Sequence, residues 1–99
     1  MSIDQAREII EKFYNDGEIM KQILIITKAP EKIRTGKKTT EEQQYRDFAE
    51  AAAEMGYHAT PEEYRRATKD YLESIGSMNS IAKVFQIITV ASELAKQTI

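Results

Sequence analysis

Ninety-nine residues, 41% of them apolar and 30% charged, suffice for one small packed domain and exclude both two ordinary domains and global disorder. A net charge of −2 is too small to name a partner, and the absence of cysteine excludes a disulfide framework, a thiolate metal site and a thiol nucleophile. The opening MSIDQAREII lacks a basic segment followed by an apolar block, and Lys83, Gln86, Glu93 and Lys96 interrupt the apolar C-terminal stretch. Neither a secretory signal nor a membrane span is predicted, and a cytoplasmic setting is expected.

Ser2 and Gln5 form a capping-box pattern, and Ile3, Ala6, Ile9, Ile10 and Phe13 follow at helical spacing. This first helix is expected to stop near Asn15-Asp16-Gly17, with Asp16 capping a second helix whose stripe is Ile19, Met20, Ile23, Leu24 and Ile26. Leu24-Ile25-Ile26 also suits a short strand, but no second strand candidate exists to pair with it, so helix is preferred.

Residues 27–40, TKAPEKIRTGKKTT, combine Pro30 and Gly36 with four threonines and five basic residues, and read as a long basic loop. Residues 28–38 carry five positive charges against one negative, whereas residues 41–56 carry five negative against one positive. Either the loop and the following helix shield one another, or Lys32, Arg34, Lys37 and Lys38 form an anion or nucleic-acid contact.

Residues 41–76 read as a helical hairpin. Thr40 with Gln43, or Thr39 with Glu42, caps its first helix, which buries Tyr45, Phe48, Ala49, Ala52 and Met55. Ala51 and Ala53 would admit a close neighbour. Gly56 supplies a left-handed cap, and Tyr57 can fold back onto the last turn. Thr60-Pro61-Glu62-Glu63 then opens the next helix with a cap, a preset φ and a capping box. That helix buries Tyr64, Ala67, Thr68, Tyr71, Leu72 and Ile75 and ends at Gly76.

Ser77 or Asn79 caps a last helix running nearly to Ile99. Its apolar residues cover more than half its circumference, beyond the ~100° of an ordinary surface helix. Such a helix is either central to the bundle or covered by a second copy. A homo-oligomer is expected, with Val84, Ile87, Ile88, Ala91 and Leu94 as its self-association residues. The fold class is therefore all-α: one domain over 1–99, a compact bundle of about five short helices with a long apolar C-terminal helix.

Two separated blocks resemble the Nif-eleven (nitrogen fixation protein eleven) family. One is MSIDQAREIIEKFYNDGEIMKQI, with Ser2, Ile3, Asp4, Gln5, Ala6, Phe13 and Asp16 at the family's pattern positions. The other is AAAEMGYHATPEEYRRA, with its alanines 51–53, Gly56, Tyr57, Thr60, Glu62 and Glu63. Together the blocks cover roughly half the chain. The resemblance implies a helical leader-like domain, bound by an enzyme that modifies a C-terminal core peptide; other members stand alone, some near nitrogen-fixation genes. This sequence has a longer link between the blocks, no Gly-Gly or Gly-Ala signal after the fourth helix, and no cysteine in its tail. What carries over is a module recognised by a partner protein.

No catalytic constellation, cofactor motif or metal-ligand spacing is visible, so a non-enzyme is expected, without cofactor or metal. His58, the single histidine, has no convergent ligands in the sequence and reads as a linker residue. Glu62 and Glu63 suit an acid/base pair, but capping accounts for them. Gly36-Lys37-Lys38-Thr39 lacks the leading glycine of a phosphate loop. Tyr57, Tyr64 and Tyr71 are the candidate partner-binding residues, the last two one heptad apart. The alternative is a helix-turn-helix-like regulator presenting Arg65, Arg66 and Lys69 to nucleic acid. Acidic neighbours such as Asp47, Glu50 and Glu73 argue against it.

Overall fold

Four helix starts carry a side-chain cap. Ser2 accepts from the Gln5 N–H at 3.3 Å, Asp16 from those of Glu18 and Ile19, and Thr40 from that of Gln43 at 3.1 Å. Thr60 closes a full capping box: its hydroxyl accepts from the Glu63 N–H at 3.1 Å, and the Glu63 carboxylate accepts from the Thr60 N–H at 2.8 Å. The computed structural model, which describes residues 2–97, contains six helices: α1 Ile3–Asn15, α2 Gly17–Ile26, α3 Ala29–Thr35, α4 Glu41–Glu54, α5 Pro61–Ile75 and α6 Ser77–Gln97. No strand occurs among the described residues, and Leu24-Ile25-Ile26 are helical.

Three expectations need correction. The first is the basic loop. Half of it is α3, which starts with Pro30 in its first turn and ends in a Schellman motif. There the Lys37 N–H donates to the Lys32 carbonyl and the Gly36 N–H to that of Ile33. The second is the Ser2–Gln5 box, which does not close. The Gln5 side chain instead accepts from the His58 N–H at 2.7 Å, while the Ser2 N–H donates to the His58 carbonyl at 3.2 Å. The start of α1 is thereby tied to the link between α4 and α5.

The third concerns the last helix. It is 21 residues long but neither central nor an apolar rod: only Ala91 and Ala95 along it are buried. Neither predicted cap acts as one. α6 begins directly after Gly76, whose carbonyl accepts from the Ser80 N–H at 2.9 Å, and the Asn79 amide donates back to the Ile75 carbonyl. The expected run towards Ile99 passes into residues outside those described. No helix among the described residues is long and apolar enough to cross a membrane.

The α4 stop follows expectation. The Tyr57 N–H donates to the Ala52 carbonyl at 2.9 Å and the Gly56 N–H to that of Ala53 at 3.1 Å, the paired bonds of a Schellman end. Gly56 has the required positive φ of 90°. Ala51 and Ala52, not Ala53, are the buried alanines.

The core is built on α1 and α2. Ala6, Ile9, Ile10 and Phe13 of α1 meet Met20, Ile23 and Leu24 of α2, with Tyr64 and Ala67 of α5 closing over them. Each large side chain fully buried there contributes about 1.5–3 kcal/mol. α1 packs chiefly on α5, α4 on α5, and α3 on α6. The small residues Ala6, Ala51, Ala52 and Ala67 are at most 1% exposed. They keep this unit, 37 × 30 × 25 Å, tightly layered.

Candidate functional site

α3 places its cations in two structural roles. Lys32 Nζ donates to Asp47 Oδ2 of α4 at 2.7 Å, and the Gln43 amide donates to the other carboxylate oxygen at 2.9 Å. Arg34 Nη1 donates to the Ala95 carbonyl at 3.2 Å, in the C-terminal turns of α6, where a cation complements the helix dipole. So two of the four basic residues expected to face an anion instead fasten α3 to its neighbours. Lys37 and Lys38 follow the α3 stop, are exposed, and make no ion pair among the described residues.

Burial works to raise the Asp47 carboxyl, but hydrogen bonds from Lys32 and Gln43, with the charges of Lys32 and Lys37, outweigh it and hold the group below the ordinary aspartate range. A lowered carboxyl pKa gives stability that is present above the unfolded-state value and lost as pH falls through the folded one. Asp47→Asn should cost about 1–2 kcal/mol near neutral pH. In urea titrations the gap between wild type and variant should close as the pH drops below the aspartate range. A gap of equal size in acid would show that the loss is steric rather than ionic.

The Lys32–Asp47 strut borders two clefts. A polar one of ≈ 570 Å³ is lined by Lys28, Lys37 and Lys38 but also by Glu50 and Glu54, so it has no single sign of charge. The other, ≈ 540 Å³, is apolar inside. Phe13, Ile23, Leu24 and Phe48 line it, Ile87 and Ala91 of α6 form a wall, and Ile33 of α3 stands at its edge, about half exposed. Lys37, Thr39 and Gln44 supply polar groups to the same cleft. Sequence reading missed this cleft because it exists only once residues 29–35 form a helix.

The three candidate tyrosines do not share a surface. Tyr64 is 0% exposed and belongs to the core. The Tyr71 ring stacks on Tyr14 at 5.1 Å, and its hydroxyl accepts from the Asn15 amide at 2.9 Å. The Tyr57 hydroxyl accepts from Lys12 Nζ at 2.7 Å. That ammonium lies 5.3 Å from the ring centroid, which places it nearly along the C–O axis rather than over the ring face. Tyr57 and Tyr71 thus tie the link and α5 to α1.

The remaining polar candidates also serve the fold. The His58 side chain is exposed, and its backbone holds the α1 start. No group of three His, Asp or Glu side chains among the described residues could hold a metal ion. Glu63 caps α5, and Glu62 takes a two-pronged hydrogen bond from Arg65. That bond occupies one of the three cations of the nucleic-acid alternative, leaving Arg66 and Lys69 exposed.

The five self-association residues divide between two faces of α6. Ala91 is buried, and Ile87 and Leu94 pack partly against the core. Val84 and Ile88 are exposed, together with Met78, Ile81 and Phe85, which the predicted set omitted. Spacing could have found them: 78, 81, 85 and 88 form a stripe of their own, separate from 87, 91 and 94. Comparisons with protein-family models, curated proteins and solved structures return no match to this chain.

Proposed function

We propose that this chain is a non-catalytic cytoplasmic module that a partner protein recognises, and that the apolar cleft between α3, α4 and α6 receives the partner's side chains. The cleft carries the proposal. Its ≈ 540 Å³ lies in the ~300–1,000 Å³ range of ligand clefts, with an apolar interior and a few polar groups to fix orientation. The resemblance to Nif-eleven leader domains supplies the partner class, an enzyme that modifies peptides. A nucleic-acid regulator is the weaker reading, because Lys32, Arg34 and Arg65 already have protein partners.

The test is capture of partners by the tagged chain from its source lysate, at low and high salt, with protein and nucleic acid both read out. A protein partner retained at high salt by wild type and lost by Ile33→Glu is the expected result. Ile33 is exposed enough for that change to leave the bundle folded. Recovery of nucleic acid that washes off with salt, and is lost with Lys37→Glu and Lys38→Glu together, would overturn the proposal.

A further inference from the structure

α6 presents a second apolar stripe on the side turned away from the bundle. Met78 is 84% exposed, Ile81 57%, Phe85 63% and Ile88 53%, with Val84 at 42% beside them. The large residues fall at 78, 81, 85 and 88, the alternating three- and four-residue steps of a coiled-coil seam rather than scattered surface positions. The flanking residues Ser77, Ala82, Val84 and Thr89 are uncharged. Lys83, the one charge within the stripe's span, points the other way, donating to the Tyr14 carbonyl at 3.2 Å and the Asn15 side chain at 3.0 Å.

We propose that this stripe is covered by the same stripe of a second copy, the two α6 helices lying antiparallel about a two-fold axis near residue 83. The occupant follows from self-complementarity. In antiparallel register, Met78 meets Ile88 of the other copy and Ile81 meets Phe85, so every large side chain on the stripe faces a large one. No charge meets a like charge, and the helix dipoles oppose favourably. Exposure agrees: five apolar side chains, each at least 42% exposed, lie side by side on one helix, a contiguous bare patch of the kind that marks an interaction surface. Ile88 also lines the apolar cleft, so the dimer and the peptide-binding proposal share that one residue, whereas Phe85 and Ile81 belong to the stripe alone and Ile33 to the cleft alone.

Sedimentation and light scattering test it. Wild type should run at twice the 11.3 kDa chain mass, and Phe85→Glu at half the wild-type value with its helical circular dichroism retained. Ile33→Glu should leave the dimer intact. Register is read separately, because the chain has no cysteine of its own. Mixed Ile81→Cys and Phe85→Cys variants should oxidise to the heterodisulfide in preference to either homodisulfide. This reading holds even if the glutamate variant fails to fold. A wild type that is monomeric up to its highest soluble concentration would overturn the inference, as would a folded Phe85→Glu that stays dimeric. A preference for the Phe85→Cys homodisulfide would overturn the antiparallel arrangement.

Discussion

Tyr64→Ala should cost about 3–5 kcal/mol, enough to unfold much of the population of a domain this small near its working temperature. Tyr64 is fully buried, and its ring meets Phe48 at 5.1 Å. Phe48 meets Phe13 at 5.3 Å, Phe13 meets Tyr14 at 5.2 Å, and Tyr14 stacks on Tyr71. One aromatic chain thus runs from α5 through α4 and α1 back to α5. Removing its first ring leaves a cavity beneath three helices at once. Thermal unfolding would show this as a drop of roughly 15–30 °C.

Tyr64→Phe keeps the ring and should cost less than about 1 kcal/mol, since the hydroxyl's bond to the Tyr57 carbonyl is long at 3.4 Å. Burial pushes the Tyr64 hydroxyl up to about 12, with the nearby Glu63 charge adding to it. A raised tyrosine pKa gives stability that is complete below the unfolded value of 10.0 and lost as pH climbs through the folded one. Wild type should therefore lose stability between pH 10 and 12, and Tyr64→Phe less steeply. Equal alkaline slopes would place the titrating group elsewhere, with Tyr14 the next candidate, also raised to about 12 by burial.

The same tyrosine shows how far the sequence could be read. Its helical phase marked Tyr64 as inward, and Tyr71 one heptad later as its neighbour. Phase does not say how deep a position lies, and depth decides between a core ring and a binding surface. Caps were legible where they stay local: Thr60 to Glu63, and Gly56 with Tyr57, needed no knowledge of the remaining fold, whereas the Ser2–Gln5 box does not close because Gln5 accepts from His58, 53 residues away. α3 was missed although its signals were present. Pro30 and Gly36 both suit a loop, yet proline in a first turn and glycine just past the end are also the marks of a short helix. Seven residues show too little periodicity to settle which. With α3 went the cleft that it walls and the fastening roles of Lys32 and Arg34, which depend on partners fifteen and sixty-one residues away.

Gly76→Ala should lower stability by about 1–3 kcal/mol although nothing stands in the way of the added methyl. No heavy atom lies within 4 Å of where that carbon would sit, so crowding contributes nothing. The cost is backbone strain. Gly76 has φ 86° and ψ 159°, a region essentially closed to residues with a β-carbon. It is also the single residue between α5 and α6, so its dihedrals set the direction in which α6 leaves the bundle. Gly17→Ala is the matching control. Gly17 also has open space but no positive φ, and sits in the first turn of α2, where alanine should be neutral or stabilising by up to about 1 kcal/mol. Urea titration should show a loss of stability for Gly76→Ala and none for Gly17→Ala. If both lose stability alike, the strain at Gly76 is not what the alanine meets. If Gly76→Ala alone is destabilised, the direction of α6, and with it the facing of Ile81 and Phe85 away from the bundle, depends on a conformation that only glycine holds cheaply.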